Sequence, residues 1–98
     1  MTTRQRAALR SMANGIEAIL TIGKDGITEN LVKQAWDALE ARELVKASVL
    51  KTAPFESARE ACAALCERVH AEPVQVIGNR FVMYRKARKG SRIDLESL

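Results

Sequence analysis

Four consecutive residues, Gly23-Lys24-Asp25-Gly26, carry the clearest chemical signal in this 98-residue chain. They follow the apolar run Ile16 to Ile22 and precede Thr28, a residue suited to capping a helix. Glycines without Cβ atoms let a phosphate backbone come close, and the free amides and partial positive charge of the following helix start attract anions. Lys24 adds a full charge at the tip. The same spacing also suits a tight strand-to-helix connection, so the motif needs support from its surroundings.

Other groupings offer less. Cys62, Cys66 and His70 recur every four residues, but on a helix rising ~1.5 Å per residue the outer two stand about 12 Å apart, too far to share one ion. They read as core thiols and a helix-end histidine, so no metal or cofactor is expected. His70 is the only histidine, and nothing sets an acid and an oxyanion site around it. The GxxxxGK motif of nucleotide hydrolases is absent. These residues suggest a binding surface and no enzyme; a small-molecule substrate is not expected.

Charge points to the partner. The net charge is +4, yet Arg80, Arg85, Lys86, Arg88, Lys89 and Arg92 fall together with no acid between them. Arg4, Arg6 and Arg10 make the other end basic, while residues 27 to 79 hold six bases against eight acids. Such segregation suggests a polyanion-facing surface and a solvated acidic back. No apolar run approaches the ~20 residues that span a bilayer, and no secretion signal follows the first arginines, so a cytoplasmic protein is expected.

Apolar periodicity predicts the elements that hold the loop. Thr3 caps a helix ending at Asn14-Gly15, Ile16 to Ile22 is a strand, and Thr28 caps a helix to about Arg42. Glu43 to Leu50 is a second strand with Val45, Ala47 and Val49 on one side. Pro54 opens a third helix, whose stripe of Ala58, Ala61, Cys62, Leu65, Cys66 and Val69 faces inward until Pro73 closes the region. Val74 to Ile77 and Arg80 to Arg85 form a hairpin around Gly78-Asn79. The predicted fold is α/β, a two-layer sandwich with a helix followed by β-α-β-α-β-β and a mixed four-stranded sheet. Residues 1–86 make the single domain and residues 87–98 a basic, flexible tail.

Ile22-Gly23-Lys24-Asp25-Gly26-Ile27-Thr28, Glu43-Leu44-Val45-Lys46, Val74-Gln75-Val76-Ile77-Gly78-Asn79 and Val82-Met83-Tyr84-Arg85 resemble, in order and spacing, the signature blocks of the CRM domain, known in bacteria as YhbY. The resemblance runs from about Arg4 to Arg85. It implies a fold similar to the C-terminal domain of translation initiation factor three, and a GxxG loop like that of KH domains, which clamps a nucleic-acid backbone. It also implies a role in ribosome biogenesis, with rRNA of the precursor large subunit and the pre-ribosomal particle as partners. By position, Gly23, Lys24, Asp25 and Gly26 would be the clamp, with Lys46, Arg85 and Lys86 as basic contacts. The chain departs from the family pattern at Glu17-Ala18, where a proline is expected, and at Ala47, where valine is frequent.

Two of these assignments have a plain alternative, Lys46 an ordinary strand residue and the basic end a solubilising tail; Phe81 and Tyr84 could stack on bases but read as core residues. At the level of function the alternatives are a factor in intron splicing or translation, a nonspecific DNA binder, or a protein-interaction module docking through its acidic helical face. On the clamp reading, Gly26→Asp is expected to weaken RNA binding with little change in thermal stability.

Overall fold

A computed structural model describes residues 1–88 and 90–97. Three helices, α1 (Thr3–Ala13), α2 (Glu29–Arg42) and α3 (Ala58–Val69), alternate with strands β1 (Ala18–Ile22), β2 (Leu44–Val49), β3 (Glu72–Ile77) and β4 (Arg80–Tyr84). This is the expected α/β fold with a mixed sheet, ordered β1-β2-β4-β3. β1 and β2 run parallel, while β4 is antiparallel to both β2 and β3. Among the described residues, no helix is long and apolar enough to cross a membrane.

The helices begin where side chains satisfy their first amides. Thr28 Oγ1 accepts from Leu31 N at 3.1 Å, and Ser57 Oγ accepts from Glu60 N at 3.2 Å. The cap of α1 is Thr2, one residue before the expected Thr3, because Thr2 and Gln5 form a capping box, each side chain bonding the other's backbone amide. Pro54 does not open α3; Ser57 does, and Pro54 stays in the preceding loop. Pro73 lies inside β3 and does not end the region, which an edge strand tolerates because an outward position needs no ladder donor.

α2 and α3 cover one face of the sheet. Leu31, Ala35 and Leu39 join the whole predicted α3 stripe, with Ile22, Val45, Ala47, Val49, Phe81 and Met83 from the strands, in the main core. Phe81 is therefore a core residue, as is Tyr84 in a smaller cluster on the opposite face, where Leu9 and Ala13 of α1 meet Leu44, Val74 and Val82. Ile93 and Leu95 close that cluster. The rest of this second face is open.

The C-terminal segment departs from the flexible tail that its lost periodicity implied. Glu43 is the reason. It is not the first residue of β2 but the cap of α2, at φ +64°, and its side chain is fully buried. Its carboxylate accepts from Ala87 N at 2.7 Å, Ile93 N at 2.8 Å, Ser91 Oγ at 2.9 Å and Arg92 N. Residues 87, 91, 92 and 93 are thus wrapped around one anion, and Gln5 Nε2 donates to Leu95 O at 3.1 Å beyond them. Lys89 and Leu98, also counted in the expected tail, lie outside the described residues.

Burial raises the Glu43 pKa, but the hydrogen bonds from Ala87, Ile93, Arg92 and Ser91 outweigh it and hold the carboxyl below its ordinary value. A depressed folded value means that the stabilisation is present above the unfolded value, near 4.3, and is lost as pH falls through the lower folded one. Glu43→Gln, which sets an amide donor against amide donors, is expected to lower unfolding free energy at neutral pH by about 3 kcal/mol. The variant should also lose part of the acid dependence below about pH 4.3. Urea titration across pH checks both, and equal stability of the two proteins at neutral pH would contradict them.

Candidate nucleic-acid interface

Parallel pairing fixes where the GxxG loop stands. β1 and β2 end side by side, Ile22 opposite Val49, so the segments leaving both strands emerge at one end of the sheet. Gly23 to Gly26 leaves β1 and enters α2; residues 50–57 leave β2 and enter α3. Both helix starts therefore lie near the carboxyl ends of parallel strands, the position at which α/β folds gather ligand sites. β4 begins at this end too, with Arg80 opposite Ser48.

The loop is a closed turn. Gly26 N donates to Gly23 O at 3.0 Å, leaving Lys24 and Asp25 exposed at the tip. Thr21, Thr28, Asn30 and Gln34 surround the loop and line with it a shallow cavity of about 360 Å³. The 50–57 segment lies alongside: Leu50 N donates to Ile22 O at 2.9 Å, and a Cβ on Gly23 would stand 3.7 Å from Leu50 Cδ1. Lys51 follows and is exposed.

The two glycines differ. Gly26 sits at φ +70°, and a Cβ there would come within 3.1 Å of Pro54 Cγ, whereas Gly23 has ordinary space and no positive φ. Any side chain at position 26 thus strains the fold, which corrects the expectation that Gly26→Asp spares stability.

The remaining predicted contacts are not gathered at this end. Lys46 lies mid-sheet on the open face, half-buried and paired with Val82. Arg80 is its diagonal neighbour across the β2–β4 ladder, and the two line a depression of about 370 Å³ with Asn14, Gln75 and Asn79. Arg85 and Lys86 follow Tyr84, which pairs with Leu44, and so stand at the far end of β2, about 17 Å from the loop at ~3.3 Å per residue. Lys86 is exposed there.

Arg85 is a structural residue. Its side chain is 11% exposed, Nη1 donates to Val69 O at 2.9 Å, and Nη2 pairs with Glu40 Oε1 at 2.9 Å. The guanidinium carbon lies 4.0 Å from the centre of the Trp36 ring. A cation committed to a carbonyl, a carboxylate and an indole is not a free phosphate contact. Lys51 and Arg80 were not picked out as loop-end cations by the sequence reading. Their signal was topological: once β1 and β2 are known to be parallel and β4 antiparallel, both residues fall at the end of the sheet that carries the loop.

Comparison with known proteins agrees with this architecture. The CRS1/YhbY (CRM) domain model matches residues 1–85. "Probable RNA-binding protein YqeI" of Bacillus subtilis is 38% identical over 95 residues, covering 97% of this chain and 98% of that protein. An "RNA-binding protein" of Haemophilus influenzae is 29% identical over 85 residues, 87% of this chain and 85% of its own. Among solved structures, the hypothetical protein SAV1595 from Staphylococcus aureus superposes with a TM-score of 0.79 at 42% identity, covering 96% and 97% of the two chains. The chain belongs to the CRS1/YhbY (CRM) domain family.

Two substitutions separate fold from site. Gly26→Ala is expected to lower stability by about 1–2 kcal/mol because it places a Cβ in the left-handed region, whereas Gly23→Ala should leave stability unchanged or raise it by up to about 1 kcal/mol. Arg85→Met should cost about 2 kcal/mol through the lost charged hydrogen bonds, with no change in nucleic-acid affinity. Thermal melts paired with binding titrations check all three; loss of affinity in folded Arg85→Met would return that residue to the interface.

Proposed function

We propose that this protein binds RNA through the end of the sheet that carries the GxxG loop, and that it acts in the cytoplasm on precursor rRNA of the large ribosomal subunit during ribosome assembly. One observation carries the RNA-binding reading: an amide-rich turn, a helix start and the cations Lys24, Lys51 and Arg80 all fall at the carboxyl ends of the two parallel strands. Gly23 gives a sugar-phosphate chain room to approach the turn, and the first amides of α2 supply partial positive charge. Lys46, on the open face, extends the cationic track from Arg80 toward the middle of the sheet. The names of the relatives support RNA as the ligand class, and the family resemblance supports the ribosomal destination.

Buried Phe81 and Tyr84 leave no aromatic platform on the strands for stacking bases. Recognition on this reading rests on phosphate and sugar, so affinity responds steeply to salt and only weakly to sequence.

Lys24→Ala combined with Lys51→Ala is expected to weaken binding to a single-stranded rRNA fragment and to lower the slope of log affinity against log salt by about 1.4, two phosphates at ~0.7 each. Wild-type affinity and slope in the folded variant would remove the loop from the interface. Crosslinking in cells is expected to recover precursor large-subunit rRNA; recovery of messenger RNA alone would overturn the ribosomal assignment.

A further inference from the structure

The opposite edge of the sheet holds a second concentration of cations that the GxxG loop does not use. β3 is an edge strand. Arg6 and Arg10 reach it from α1 on one face, and Arg59 reaches it from the first turn of α3 on the other. Together with Pro73 to Ile77 they line a trough of about 460 Å³. Three arginines from two layers of the fold therefore border one strand, although Arg59 is about fifty residues from the other two in sequence.

Among the described residues none of the three is in an ion pair, whereas Arg68, Arg85 and Arg88 each have a carboxylate partner. Glu60, the acid nearest to Arg59 in sequence, accepts from the Glu56 amide through Oε2 at 3.2 Å. The Nε–H of Arg6 is buried without an acceptor, so this guanidinium is partly desolvated and lacks a counter-ion. An anion brought to such a group interacts more strongly than with a fully hydrated one.

We propose that the β3 edge is a second phosphate-binding site, taking the sugar-phosphate backbone of a folded or double-stranded RNA whose other part lies at the GxxG end. The proposal rests on the RNA-binding reading above and adds a second point of attachment to it. β1 and β3 are the two outer strands, three spacings of about 4.8 Å apart, so roughly 14 Å separates the edges. One RNA helix can meet both at that separation, and linking two weak contacts in one ligand multiplies their affinities. Arg59 also stands at the α3 start, the end of the sheet that carries the GxxG loop, so the two sites lie toward the same end of the molecule.

An acidic peptide added as a fifth strand is the competing occupant, and the edge is poorly made for it. Pro73 has no amide hydrogen, and the ladder register breaks between Pro73 and Gln75, so the strand is neither flat nor continuous in donors. Forked guanidinium groups need no regular ladder to hold a phosphate.

The test uses the full chain and two probes, a stem-loop RNA of about 20 base pairs and a short single-stranded oligonucleotide that can occupy the loop alone. Arg10→Gln with Arg59→Gln changes two exposed side chains and leaves the core intact; Arg6→Gln is added in a triple variant. The double variant is expected to lower the stem-loop salt slope by about 1.8 and its affinity near 0.1 M salt by about tenfold or more. Oligonucleotide affinity should stay within about twofold of wild type, since a contact it never makes is all that has been removed. A wild-type stem-loop slope in the double and triple variants overturns the proposal even if Lys24→Ala/Lys51→Ala loses binding, in which case the loop reading stands alone. The reverse pattern, stem-loop binding kept by the loop variant and lost by the edge variant, leaves the edge site standing and rejects the loop. Arginine-dependent capture of an acidic peptide with unchanged RNA binding also overturns the proposal.

Discussion

Parallel pairing of β1 with β2 organises everything at the end of the sheet that carries the GxxG loop. Two parallel strands cannot be joined by a tight turn, so α2 must cross over between them and bring the chain back to start again from the same side. Both strands then leave the sheet at one end, and the chain enters a helix after each. The result is a GxxG turn and a second loop packed side by side, each followed by free amide groups at a helix start. Antiparallel β4 returns to this end and delivers Arg80 there. The turn, the second loop and Arg80 are distant from one another in sequence, and one topological fact gathers them.

The other end of the sheet is organised by an anion. Glu43 occupies a left-handed cap with its backbone amide bonded to Leu39 O and its own carbonyl accepting from Arg85 N at 3.0 Å. Its carboxylate then collects donors from the C-terminal segment. A buried charge is costly unless fully hydrogen-bonded, and here four donors meet two oxygens. Nearby, Glu40 binds Arg85 through one oxygen and the Arg88 amide through the other. Two glutamates in the last turn and cap of α2 thus tie down a segment whose composition alone resembles a loose polycation. The basic run is partly internal structure, which changes the meaning of its charge: Arg85 is committed to the fold, while Lys86 and Arg88 keep exposed side chains on a fixed backbone.

Where apolar periodicity speaks, the sequence was legible. The α3 stripe from Ala58 to Val69 is buried in full, the alternation of Val45, Ala47 and Val49 matches the main-core side of β2, and the hairpin around Gly78-Asn79 stands where it was expected. What escaped reading depends on pairs distant in the chain. Glu43 looks like the start of a strand until Ala87, Ser91 and Ile93 are beside it. Arg85 looks like a free cation until Glu40, Val69 and Trp36 surround it. Lys51 looks like an ordinary loop lysine until the exits of β1 and β2 are seen to coincide. Each residue has a local pattern compatible with two roles, and a partner more than fifteen residues away chooses between them.

The GxxG motif shows the same division within four residues. Gly26 is required by the protein itself: its left-handed backbone closes the turn, and Pro54 fills the space in which a Cβ would stand. Gly23 is under no such requirement, with an ordinary φ and only Leu50 at contact distance. A glycine that the fold demands says nothing about a ligand, because it would be there in a protein that bound nothing. A glycine that the fold can spare, at the base of an exposed turn and next to a lysine, is the one whose missing side chain leaves room for something outside the chain. The weight of the motif as a sign of phosphate binding therefore rests on Gly23 and Lys24, and Gly26 serves as the hinge that presents them.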